Sequence, residues 1–169
     1  MIPIPALFGI AVFAFALLWA ALSDARSLRI PNTISILMLA GFGVLAPLAG
    51  FSPGAMALSL AAAAAVGVVL FLFFRRGWIR GGDTKLITVT ALWLGAGQLP
   101  SFLLWTSLFG GVLALAALAF RAIPPRTAGA MPVWVSHMLG RPLGIPFGIA
   151  IAAAGLARLP YSPWMLSAH

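Results

Sequence analysis

Only two side chains in this 169-residue chain carry a carboxylate, Asp24 and Asp83, and there is no glutamate. Two carboxylates that share one site suit acid–base hydrolysis of an amide. Their mutual repulsion lets one hold a proton while the other stays ionised. The ionised member draws a proton from a water lying between them, and the protonated member hydrogen-bonds the carbonyl under attack. That chemistry needs neither a metal nor an organic cofactor. Cysteine is absent, which removes disulfides and thiolate metal sites. The two histidines, His137 and His169, cannot by themselves complete a zinc site of the usual ligand number. No residue pattern supplies the nucleophile that a Ser-His-Asp arrangement around His137 would require.

Each aspartate also has a plainer reading. Asp83 follows Gly81 and Gly82 and precedes an apolar stretch, which is where a helix N-cap belongs. Asp24 lies close in sequence to Arg26 and Arg29 and could pair with either, or cap the short loop that holds them. Lys85 and Arg29 could orient a carboxylate or place a substrate, with membrane orientation as the plainer role.

The elements that must position the pair follow from composition. Hydrophobic residues make up 63% of the chain and charged residues 7%, with a mean hydropathy of +1.12. A soluble domain keeps about a quarter of its residues charged, so lipid is the expected solvent. At about 20 apolar residues per crossing, this length allows about six transmembrane helices, expected over 4–22, 33–50, 55–74, 84–98, 101–120 and 143–159. The expected fold is all-α: one polytopic membrane-embedded domain spanning 1–169. The stretch 121–142 carries Pro124, Pro125, Pro132 and Pro142 and reads as a loop with an interfacial segment around Trp134. Trp78, Tyr161 and Trp164 fit interfacial aromatic belts.

Charge orients the bundle. Arg26 and Arg29 follow the first span, and Arg75, Arg76, Arg80 and Lys85 flank the loop between the third and fourth. Arg121, Arg126 and Arg141 lie between the fifth and sixth, leaving only Arg158 near the opposite face. The positive-inside rule makes the basic side cytoplasmic and puts both termini outside, in the periplasm. The first apolar run has no positive charge ahead of it, unlike a signal peptide, and reads as a retained span. The net charge of +8 then serves orientation and contact with anionic lipid rather than nucleic-acid binding. Asp24 and Asp83 both fall at span ends on the cytoplasmic side.

The residues around the two acids resemble prepilin peptidases of the GxGD membrane aspartyl protease family. The resemblance is to the short CpaA-type members that serve Flp-like type IV pili. Asp24-Ala25-Arg26-Ser27-Leu28-Arg29-Ile30-Pro31-Asn32 resembles the family's first-aspartate stretch. Gly82-Asp83-Thr84-Lys85-Leu86 resembles its second motif, and Gly144-Ile145-Pro146-Phe147-Gly148-Ile149-Ala150 a C-terminal Pro-Tyr-Gly segment. Arg80 stands where the second motif has its first glycine, with Gly81 beside it, and Phe147 stands where the family has tyrosine.

The resemblance implies a bacterial inner-membrane hydrolase with Asp24 and Asp83 as its catalytic pair. It implies that Arg29, Pro31, Asn32, Gly81, Gly82, Lys85, Pro146, Phe147 and Gly148 shape the site or contact substrate. The implied substrate is a prepilin or pseudopilin, cut where its basic leader meets its apolar helix. The chain carries no cysteine-rich insertion, so methyltransferase activity is not expected. Membrane lipid is the other expected partner, and the oligomeric state stays open. Two rival classes remain: an ion- or proton-coupled transporter, which would hold its acids near the bilayer midplane beside broken helices, and a non-catalytic pilus or secretion assembly protein whose acids are only caps and ion pairs.

Overall fold

The computed structural model describes residues 3–121 and 145–166. Its main helices are α1 (Ile4–Ser27), α2 (Asn32–Leu48), α3 (Pro53–Arg75), α4 (Gly81–Leu94), α5 (Leu99–Arg121) and α6 (Phe147–Arg158), followed by the single turn α7 (Pro163–Leu166). Short 3-10 turns, Ala96–Gln98 and Leu159–Tyr161, precede α5 and α7. No strand occurs among the described residues, in keeping with the all-α expectation. The expected loop around Trp134, His137 and residues 143–144 lie outside the described residues.

Local signals set the helix ends. Ser52 caps α3 by accepting from the Ala55 amide at 3.2 Å, with Pro53 at the first helical position, where its missing amide is no loss. Pro31 precedes α2 and holds Ile30 out of the helical region. α1 runs five residues beyond its expected end at 22. It stops at Ser27 because Leu28 turns left-handed, with φ 53° and its amide returning to the Asp24 carbonyl. Asp24 therefore sits in the last turn of a helix, not in the loop where the sequence pattern put it.

Helix α4 is the centre of the bundle. It packs against α2, α3 and α6, while α1 packs against α2 and α6, and α5 against α6. Leu86, Ile87, Val89, Ala91, Leu92, Trp93 and Leu94 of α4 are all buried, so this helix is covered over most of its circumference, with Lys85 left exposed. Its distal end is locked by aromatic rings. Trp93 stacks on Trp164 at 4.6 Å and on Phe13 at 5.6 Å. The Trp93 indole donates to the Met38 carbonyl at 2.8 Å, and that of Trp164 to the Trp93 carbonyl at 3.0 Å. Trp164 is thus a core residue, not a member of an interfacial belt, because its N–H finds a buried acceptor. Tyr161 stays exposed, with the Arg158 guanidinium 4.3 Å from its ring centroid.

The outer faces tell what surrounds the bundle. Phe8, Phe15, Leu18, Leu58, Val68, Phe71, Leu108 and Leu115 are all exposed, a far larger apolar surface than water-facing monomers carry. Three helical stretches are long and apolar enough to cross a membrane: Ile4–Ser27, Pro53–Arg75 and Ala96–Ala119. Asn32–Leu48 is apolar but shorter. With 14 and 12 residues, α4 and α6 extend about 21 and 18 Å, short of a hydrocarbon layer about 30 Å thick.

Candidate active site

One end of the bundle collects the C-termini of α1 and α3 and the N-termini of α2, α4 and α6. Arg26, Arg29, Arg75, Arg76, Arg80 and Lys85 lie at this end. So do Asp24, in the last turn of α1, and Asp83, in the first turn of α4, both buried. Arg158 lies at the other end, where its guanidinium donates to the Gln98 side-chain oxygen.

Arg80 joins the two acids. Its Nη2 donates to Asp24 Oδ2 and to Asp83 Oδ1, each at 3.1 Å, and its Nε donates to Asp83 Oδ2 at 2.9 Å. Its Nη1 donates to the Leu28 carbonyl at 3.1 Å, an oxygen presented by the left-handed end of α1. Burial by itself lowers the guanidinium's affinity for its proton. The hydrogen bonds and negative charges of Asp83 and Asp24 outweigh that and hold its pKa above the ordinary value. Arg80 is a permanent cation here, and its planar fork matches the Asp83 carboxylate edge to edge.

Both plainer expectations are therefore corrected. The partner of Asp24 is Arg80, 56 positions away, and no bond from Arg26 or Arg29 to Asp24 occurs among the described residues. Asp83 is not the N-cap of α4. Arg80 holds that position, and Asp83 sits three residues on with both oxygens turned to the guanidinium.

Asp24 has a second neighbour. The Gly148 amide, in the first turn of α6, donates to Asp24 Oδ2 at 2.6 Å. This bond satisfies one of the free N–H groups at the start of α6 and puts a negative charge at its positive end. The approach requires glycine: a Cβ at 148 would lie 2.9 Å from Asp24 Cβ and 3.0 Å from Oδ2. The other oxygen, Oδ1, is buried and bonded to nothing among the described residues. A buried carboxyl oxygen without a partner is uncommon in folded proteins.

A cavity of about 500 Å³ opens beside the pair. Arg29, Pro31, Asn32 and Gly82 line it together with Asp24, Asp83 and Arg80. A second cavity, of about 400 Å³, shares Arg80 and Asp83 with the first and is lined also by Phe73, Trp78, Ile79, Ile145 and Phe147. Lys85 touches neither acid; its ammonium donates to the Asn32 side-chain oxygen at 2.9 Å and ties α4 to α2. Gly81 backs onto the Phe74 ring, and Pro146 precedes the first turn of α6. Among the described residues, no three potential metal ligands converge.

Arg80 is the residue that sequence reasoning undervalued. Its one signal was its position, three before Asp83 in a chain with only two acids, which is side-chain reach within a helical first turn.

Comparison with known families adds an independent finding. Residues 11–115 match the profile of the type IV leader peptidase family, a match covering most of the chain and including both aspartates. The chain belongs to the type IV leader peptidase family. It is thereby a protease of the leader-peptidase kind, and its apolar helices make it a membrane protein. The matched region ends within α5, so the contact of Gly148 with Asp24 is an observation of the structure alone. No curated protein and no solved structure matches the chain.

Proposed function

We propose that this leader peptidase is an aspartyl endopeptidase that removes the basic leader from Flp-like prepilins or pseudopilins at the cytoplasmic face of the bacterial inner membrane. Asp24 and Asp83 are its catalytic pair. The observation that carries this reading is the convergence of the chain's only two acidic side chains on a single nitrogen, Arg80 Nη2. They arrive there from different helices, 59 positions apart in sequence. In the working enzyme one carboxylate takes a proton from a bridging water as that water attacks the scissile carbonyl. The other, protonated, hydrogen-bonds the carbonyl oxygen and stabilises the tetrahedral intermediate.

The charge pattern supports the orientation. The basic residues at the acids' end of the bundle make that end cytoplasmic by the positive-inside rule. A substrate with a basic cytoplasmic leader and a membrane-embedded helix offers its junction at the same level. On this reading the chain is one peptidase domain with six membrane segments and both termini outside. The short helices α4 and α6 complete the count as interior elements, covered by neighbours rather than by lipid. Arg29, Pro31, Asn32 and Gly82 shape one side of the site and Phe147 the other. Gly81, Pro146 and Gly148 shape its backbone, and Lys85 braces α4.

A purely structural role for the pair has two observations in its favour, the Arg80 ion pairs to both acids and the Gly148 amide seated on Asp24. The two readings separate in one experiment: purified protein in liposomes is incubated with a candidate prepilin, and the product is weighed by mass spectrometry. The proposal expects a product shortened by the basic leader. Intact, correctly inserted protein that leaves a panel of Flp-like prepilins uncut would overturn it.

A further inference from the structure

We infer that Arg80 is a displaceable latch that occupies the place of the catalytic water and separates the two halves of the substrate's path. It acts as a positioning residue that sets how tightly substrate binds. The inference rests on the aspartyl-peptidase reading of Asp24 and Asp83.

Three observations carry it. Arg80 Nη2 is at hydrogen-bond distance from one oxygen of each acid. A water attacking a carbonyl under the joint action of the pair has to meet the same requirement, so the nitrogen and the water compete for one position. Charge points the same way. Two carboxylates and one guanidinium carry a net charge of minus one, the same as two carboxylates sharing one proton. Arg80 therefore substitutes electrostatically for the proton that the working pair needs. Finally, Arg80 and Asp83 are the two residues that line both cavities, so the guanidinium is part of the wall between them. Its side chain is 39% exposed, which gives it a solvent-facing path once its bonds to the acids open, whereas both acids are buried. Withdrawn, it would join a polar chamber to an aromatic one across the carboxylates, and an extended peptide could lie through both.

Among the described residues, Arg80 is the one cation bonded to the pair. Arg29 lines the first cavity without bonding either acid, Lys85 is held by Asn32, and Arg75 and Arg76 sit at the end of α3. No titratable side chain occurs in α2, and the only one in α6 is Arg158, at its far end.

A closed latch weakens apparent substrate affinity by the fraction of molecules that are open. Arg80→Gly should lower KM by about tenfold or more while leaving kcat within about twofold, because the side chain has already left in the bound complex. Added guanidinium ion, at millimolar concentration, should refill the vacated place. It should inhibit R80G competitively against prepilin and leave the wild type almost untouched. Arg80→Ala, which vacates the same place with less backbone freedom than glycine, gives the same readouts should R80G fail to insert.

An unchanged KM with no added sensitivity to guanidinium overturns the latch. So does a hundredfold loss of kcat at unchanged KM, which would put Arg80 on the transition state instead. Asp24→Asn and Asp83→Asn, assayed alongside, separate the two levels of the argument. If either keeps the wild-type rate, the aspartyl-peptidase reading fails. If both are dead while R80G behaves as wild type, only the latch fails.

Discussion

Replacing Gly148 with alanine tests whether the start of α6 is seated on Asp24, one member of the proposed catalytic pair. The added methyl would lie 2.9 Å from Asp24 Cβ, 3.2 Å from Cγ and 3.0 Å from Oδ2. Comfortable carbon contacts begin at about 3.5 Å, so α6 and Asp24 must separate by roughly half an ångström or more. The amide bond to Oδ2, at 2.6 Å, then lengthens and weakens. Overpacking of this kind costs about 1–3 kcal/mol, and a hydrogen bond to a charged group contributes about 1.5–3 kcal/mol. One displacement produces both losses, so they overlap. Exchange of glycine for a better helix former returns about 1 kcal/mol, leaving a net loss of about 1–3 kcal/mol. Thermal denaturation in detergent should show the melting midpoint falling by several degrees. Leader cleavage should fall by about tenfold to a hundredfold, the usual consequence of moving a reacting group by up to an ångström. A G148A protein that melts and cleaves as the wild type does would refute the packing of α6 on Asp24 and remove one wall from the site.

Other substitutions probe separate parts of the structure. Adjacent glycines of α5 should respond with opposite signs: a Cβ at Gly110 overlaps the Phe147 ring, whereas one at Gly111 meets nothing within 4 Å. Melting curves should show G110A destabilised by about 1–3 kcal/mol and G111A unchanged or stabilised by up to about 1 kcal/mol. Trp164→Ala empties the ring stack at the distal end of α4 and should cost about 3–5 kcal/mol, read as a large drop in melting midpoint; a small change would contradict its place in the core. Lys85→Gln removes an exposed link to Asn32 worth at most about 1 kcal/mol, so cleavage should stay within a few-fold of wild type. A hundredfold loss there would make Lys85 a member of the site.

How far the sequence discloses this molecule depends on the kind of signal. Helix spacing was legible because apolar runs interrupted by Pro31, Pro53 and Gly81–Gly82 leave little choice of boundary. The apolar pattern ends α1 at 22 because Ser23 and Asp24 are polar, whereas the helix runs to Ser27. Asp24 has tertiary partners there, Arg80 and Gly148, that no local pattern reveals. The pairing of the two acids was legible from scarcity and from their place at span ends. The agent of that pairing was not, since Arg80 in a basic loop looks like any orienting charge until its distances to both carboxylates are known. Trp164 misled for a related reason. A tryptophan near a chain end fits an interface by position, and only its bonded N–H and its stacking on Trp93 assign it to the core. Gly148 was marked by motif order alone, and its amide lies 2.6 Å from Asp24 Oδ2.

The central claim is that Asp24 and Asp83 act as one catalytic unit. The direct measurement is the single-turnover rate of leader removal by wild type, D24N, D83N and the double variant, each reconstituted in liposomes and shown to be folded by its melting curve. Groups that work as a unit are not additive. Each single change should lower the rate by about a thousandfold or more, and the double change should be no worse than the more damaging single one. Leader removal at the wild-type rate by either single variant would contradict the account.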